Sequence, residues 1–94
     1  MSNTSDGGNG FKINEELTWR DVDDQMVVLH LPTGKYYTFN EIGRVIWLSL
    51  TENKAEEEII KIIIKEYEVS PEQAQKDIDH FIAGLSASAL VTRE

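Results

Sequence analysis

The spacing of apolar residues divides the chain into a strand-forming front and a helical back. In residues 11–20, Leu17 and Trp19 alternate with Glu16, Thr18 and Arg20, the two-residue period of a half-buried strand. An acidic turn over residues 21–24 leads into QMVVLHL at residues 25–31, a β-branched, apolar run of strand length. Pro32-Thr33-Gly34 is turn chemistry: proline presets φ and glycine accepts a positive φ. Residues 35–39 (KYYTF) therefore return as the second arm of a hairpin, and the front half reads as a three-stranded antiparallel meander.

From residue 40 the period becomes helical. Asn40 is placed to cap a helix over residues 41–50, with Ile42, Val45, Ile46 and Leu50 on one stripe and Trp47 widening it. Asn53 and Glu56 have the spacing of a capping box, and the helix they open carries Ile59, Ile60, Ile62, Ile63, Ile64 and Tyr67. That content predicts burial nearly all round, with Glu57, Lys61, Lys65 and Glu68 as one narrow polar stripe. Ser70-Pro71-Glu72-Gln73 then presents cap, N1 proline and capping-box glutamine in order. The third helix puts Ala74, Ile78, Phe81, Ile82 and Leu85 on one face, and Leu90-Val91 close the fold behind it. The fold class is α+β, a three-stranded antiparallel sheet followed by three helices.

Length and composition narrow the function. The 94 residues make one domain, with the Ser, Asn and Gly-rich residues 1–10 as a disordered tail and residues 11–94 as the folded unit. No apolar run approaches a spanning helix and no signal peptide precedes the fold, so a cytoplasmic location is expected. The absence of cysteine excludes disulfides, a thiolate nucleophile and sulfur-ligated zinc. A formal charge of −8 opposes phosphate backbones and anionic lipid, so neither nucleic acid nor membrane is an expected partner.

His30 and His80 lack metal-ligand spacing and read as structural or surface residues. The acidic groups Asp21, Asp23, Asp24 and Glu56, Glu57, Glu58 lack the alternating oxygens and central glycine of a calcium loop. They read as a solvated turn and a dipole-matched helix start. No serine lies in a nucleophile elbow, and no glycine loop is followed by the Lys-Ser/Thr of a phosphate cradle. The expectation is a binding module, not an enzyme, with no cofactor and no metal.

One feature exceeds core packing. A three-stranded meander leaves two bare edges, which folded proteins usually blunt with charge, proline or a bulge. The first strand carries Glu15, Glu16 and Arg20, whereas Lys35-Tyr36-Tyr37-Thr38-Phe39 has a single charge at its start and no proline. Such an edge accepts an extended peptide as a further strand. Coverage by the protein's own helices, or a homodimer through the sheet edge, stands beside that reading.

Taken in order, Gly34-x-Tyr36-Tyr37-x-Phe39-Asn40-x-x-Gly43-x-x-Ile46-Trp47, Tyr67-x-Val69-Ser70 and Asp77-Ile78-x-x-Phe81-Ile82-x-x-Leu85 resemble the PqqD family. Its members are peptide-recognition domains of pathways that make ribosomally synthesised, post-translationally modified peptides. The resemblance spans residues 17–91; Phe39 stands where the family more often has Leu, and Ala89 where Gly often precedes the closing Leu-Val. It implies a winged helix-turn-helix fold that binds the leader segment of a precursor peptide as a strand added to the third strand. The leader's apolar side chains then enter a cleft beside the third helix. By position, the resemblance assigns peptide binding to Lys35, Tyr36, Tyr37, Thr38 and Phe39 on the strand. On the helix it assigns Asp77 as polar anchor with Ile78, Phe81, Ile82 and Leu85, only part of that apolar face touching ligand. With no second domain, the chain resembles the free-standing members, which deliver the leader to a separate partner. That partner is a modifying enzyme, such as the radical enzyme of pyrroloquinoline quinone synthesis, or a leader protease of a lasso peptide pathway. The alternatives are a winged-helix DNA-binding regulator, opposed by Glu72, Asp77 and Asp79 against Lys76, and a purely structural dimerising subunit.

Overall fold

The computed structural model describes residues 10–93, so the expected tail lies, except for Gly10, outside the described residues. Strands β1 (Phe11–Ile13), β2 (Leu17–Val22), β3 (Gln25–His30) and β4 (Tyr36–Phe39) precede helices α1 (Glu41–Thr51), α2 (Glu56–Tyr67) and α3 (Pro71–Ala87). A last strand, β5 (Val91–Arg93), follows them. The antiparallel meander β2-β3-β4 followed by three helices is the expected α+β arrangement. No helix among the described residues is long and apolar enough to cross a membrane.

The expected first strand is two strands in different sheets. Asn14 breaks it: its side-chain oxygen accepts from the Glu16 N–H at 2.8 Å and its Nδ2 donates to the Ala89 carbonyl at 3.1 Å. An asparagine that satisfies the backbone locally competes with the ladder in this way. Before the break, β1 pairs with β5, clasping the two ends of the domain. After it, β2 runs through Asp21 and Val22, so the acidic turn shrinks to Asp23-Asp24. Both residues have positive φ (51° and 65°), the twist a two-residue hairpin requires and aspartate tolerates.

Helix starts follow the capping signals twice and depart from them once. Asn40 accepts from the Gly43 N–H at 2.9 Å, and Ser70 from the Gln73 N–H at 3.1 Å with Pro71 at N1. The Gln73 amide, however, donates onward to Asp77 at 2.9 Å, so the reciprocal half of that box is replaced by an i, i+4 pair. Asn53 is not the N-cap of α2, because its positive φ of 59° places it in the preceding turn; Ala55 occupies that N-cap without a side-chain bond. Nor is α2 buried all round. Ile59 and Ile63 are fully buried while Ile60, Ile62 and Ile64 are only half-buried, since the described residues pack one side of this helix and supply no layer to cover the other.

The core gathers Met26 and Val28 from β3, Ile46, Trp47 and Leu50 from α1, and Ala74, Ile78 and Leu85 from α3. Leu90 and Val91 close it as expected. Trp47 has no exposed surface, and its indole N–H has no nitrogen or oxygen partner. The Trp19 ring stands edge-on to it, with centroids 5.3 Å apart at 87°. A perpendicular pair is the favourable arrangement of two ring quadrupoles.

Helix α3 ends in paired bonds from Ala89 N–H to the Ser86 carbonyl (3.1 Å) and from Leu90 N–H to the Leu85 carbonyl (2.9 Å). This double closure puts its C′ residue in the left-handed region, and here Ala89 bears a φ of 61° where glycine is usual. Relieving the Cβ crowding, Ala89→Gly should stabilise the fold by about 1 kcal/mol, raising the thermal midpoint by about 4–8 °C. An unchanged or lowered midpoint would show that the lost chain restriction of alanine outweighs the relief.

Across the sheet, Arg44 of α1 makes a two-pronged pair with Asp21, its Nη2 donating to Oδ2 at 3.1 Å. The hydrogen bond from Arg44, aided by its charge, holds the Asp21 carboxyl below its ordinary value of 3.8. Stability from this pair is therefore fully present above that value and is lost as pH falls through the depressed folded value. In urea melts of wild type and Asp21→Asn, the difference seen at pH 7 should shrink at pH 3; an equal difference at both would assign it to packing.

Candidate functional site

The site begins with the direction of main-chain groups on β4. His30 N–H donates to the Lys35 carbonyl at 2.8 Å, and the register pairs Val28 with Tyr37 and Met26 with Phe39. Antiparallel bonding alternates, so Tyr37 and Phe39 turn their N–H and C=O groups toward β3. Tyr36 and Thr38 turn theirs away, to the side where, among the described residues, the sheet order β2-β3-β4 supplies no neighbour. The opposite parity holds between β3 and β2, where Leu31 N–H donates to the Glu16 carbonyl at 2.9 Å.

Side chains alternate too. Tyr37 and Phe39 share a face with the buried Val28 and Met26 and look toward the helices. Tyr36 and Thr38 lie on the outer face, Tyr36 with 71% of its surface exposed. It borders a shallow groove of about 510 Å³ with Leu29, Val27 and Arg20.

Two hollows flank α3, the first against β4 and the second against the start of α1. One, of about 300 Å³, is lined by Tyr37, Phe39, His80, Phe81, Gly84 and Leu85, among others. The second, of about 210 Å³, is lined by Asn40, Ile42, Gly43, Asp77, His80 and Phe81, among others. Phe81 borders both and packs edge-on against Phe39, with centroids 4.8 Å apart at 82°. Phe39 in turn leans on Trp47 at 5.7 Å, so the cleft wall is supported by the core. At the α1 end, a Cβ on Gly43 would lie 2.9 Å from both Phe39 Cβ and Phe81 Cε1; only glycine lets these three elements meet.

Of the residues assigned from the resemblance, Tyr37, Phe39, Asp77, Phe81 and Leu85 line the cleft. Asp77 accepts from Gln73 at one oxygen and faces the smaller hollow. Tyr36 and Thr38 are on the free edge and outer face, and Lys35 is exposed just before the strand. Ile78 has no exposed surface and is a core residue; Ile82 is half-buried and borders neither hollow. The resemblance assigns no peptide-binding role to His80, Gly84, Asn40, Ile42 or Gly43. The signal for the helix pair was present, because Asp77, His80, Phe81 and Gly84 recur at i+3 and i+4 as a stripe beside the core stripe.

The family described as coenzyme PQQ synthesis protein D (PqqD) matches residues 25–91. Among solved structures, TbiB1 in complex with the TbiA(beta) leader peptide is 35% identical, with a TM-score of 0.79 over 85% of this chain and 93% of that one. A lasso peptide synthetase B1 complexed with the leader peptide has a TM-score of 0.81 at 23% identity, covering 88% of this chain and 98% of that one, a likeness of fold. No curated protein matches.

Proposed function

The chain belongs to the PqqD family, and on that premise we propose that it binds the leader segment of a ribosomally made precursor peptide and presents it to a separate enzyme. The observation that carries this reading is the free β4 edge beside an apolar cleft. Two residues, Tyr36 and Thr38, offer unpaired main-chain groups to an incoming strand, and the cleft of Phe39, Phe81 and Leu85 lies directly on the inner side. An added strand places alternate side chains on alternate faces, so one set enters the two hollows. Main-chain bonds supply affinity, and the hollows supply selectivity.

In this arrangement Tyr37, Phe39, Phe81 and Leu85 receive apolar side chains, while Asp77 and His80 supply polar contacts at the smaller hollow. Ile78, with no exposed surface, serves the core rather than the cleft. Lys35 flanks the entry to the edge. The leader complex of TbiB1, a chain 35% identical over most of both lengths, supports the assignment. Nothing in this chemistry calls for a catalytic group: the chain orients a substrate tail, and the reacting residues belong to the receiving enzyme, a modifying enzyme or a leader protease. The DNA-binding alternative fares worse, because α3 carries exposed Glu72 and Asp79 and half-buried Asp77, with Lys76 the only cation nearby in sequence.

Titrating isotope-labelled protein with the leader of its cognate precursor should move the amide signals of residues 36–39 together with those of residues 77–85. Shifts confined to α2 or the β1-β5 clasp, or no shifts at all, would reject the proposal.

A further inference from the structure

Helix α3 holds a glycine at position 84 that nothing inside the protein requires. Glycine inside a helix is destabilising relative to alanine and is retained where a positive φ or a close approach demands it. Neither applies here. Among the described residues, the positive-φ glycines are Gly10 and Gly34. A Cβ at Gly84 would meet no heavy atom within 4 Å, in contrast to Gly43, where it would collide with two aromatic residues. What Gly84 does border is the hollow of about 300 Å³ beside Tyr37, Phe39, Phe81 and Leu85.

We infer that Gly84 is a specificity-determining residue: its missing side chain keeps this hollow deep enough for one bulky aliphatic or aromatic side chain of the bound strand. The inference rests on the proposed reading of the cleft as the leader site. The hollow's aromatic walls match a ligand side chain that is large and apolar, and Gly84, exposed on α3, forms part of its lining. A side chain larger than glycine at this border would take up part of the space that the ligand side chain fills. The helix gives up stability at this position and the site gains depth.

The two consequences have opposite signs. Gly84→Ala should raise the thermal midpoint by about 4–8 °C, because it removes the helix penalty, and at the same time weaken binding. Specificity is read by panning a phage-displayed library of random twelve-residue peptides against wild type, Gly84→Leu and Thr38→Pro. Wild type should enrich peptides with a bulky apolar residue at a fixed position in a two-residue repeat. Gly84→Leu should enrich Gly, Ala or Ser at that position alone, and bind the wild-type-selected peptides at least tenfold more weakly. If folded Gly84→Leu selects the same peptides at the same affinity while Thr38→Pro selects none, the role of Gly84 is overturned and strand addition stands. If the selected peptides bind Thr38→Pro as well as wild type, or the library yields no binder to wild type, the reading of the cleft fails and the inference with it.

Discussion

Replacing Thr38 with proline should weaken leader binding by at least about tenfold while leaving the domain folded. The Thr38 N–H points to the free side of β4, so losing it breaks no bond to β3, and proline is tolerated on an edge strand in that orientation. The incoming strand loses a main-chain donor, which leaves its own carbonyl without a partner, and it meets the proline ring where that hydrogen lay. An unmade hydrogen bond in a desolvated contact costs about 1–3 kcal/mol, and 1.4 kcal/mol is tenfold in affinity. Tyr37→Pro is the matching control: its N–H faces β3, so it should damage the sheet itself. Calorimetric titration with the leader, alongside circular dichroism, separates the cases. Unchanged affinity in a folded Thr38→Pro protein would mean that the leader docks elsewhere.

Trp47→Ala is expected to cost about 3–5 kcal/mol of stability, the range for emptying a large buried aromatic site. Its ring has no exposed surface and contacts Trp19 and Phe39 at centroid distances of 5.3 and 5.7 Å. A domain of 94 residues has on the order of 5–14 kcal/mol in total, so this variant approaches the threshold of folding. Trp47→Phe should lose much less, because it keeps an aromatic ring and the deleted indole N–H has no oxygen or nitrogen partner to abandon. Urea unfolding of both variants checks the contrast. If Trp47→Ala lost under about 1 kcal/mol, the neighbours would be collapsing into the vacated space. The cleft should report the same damage, since Phe39 rests on Trp47 and loses its backing.

Features legible in the sequence are those whose causes are local. Asn40 and Ser70 announce their helices because a cap is a contact between residues three apart. The Pro32-Thr33-Gly34 turn, with Gly34 at a φ of 76°, follows from backbone preference alone. The clasp of β1 with β5 had no such signal: three residues at each end, Phe11 opposite Arg93, with pairing decided by where the helices leave the chain. Asn53 shows the limit of a motif. The same short polar side chain that favours a cap also tolerates a positive φ, and the turn took it. The five isoleucines of α2 predict an apolar helix but cannot say how many neighbours the fold has to set against them.

The candidate site divides along the same line. The bare edge was readable, because charge and proline are properties of the strand itself. The cleft was implied only by the family resemblance and not by periodicity, because it exists only once Phe39 of β4 meets Phe81 of α3. His80 is exposed, in keeping with a surface role, and what periodicity does not show is that it and Gly84 border a hollow.

An edge left uncharged from Tyr36 to Phe39 also has to be shared. Main-chain groups are the same in every polypeptide, so Tyr36 and Thr38 present an invitation that any extended segment can answer, including β4 of a second copy. Ligand capture and self-pairing would then compete for one surface, and occupancy by the cognate leader becomes a matter of relative concentrations as well as fit. Crowding the chain with copies of itself would lower its apparent affinity, and a saturating leader would keep it monomeric.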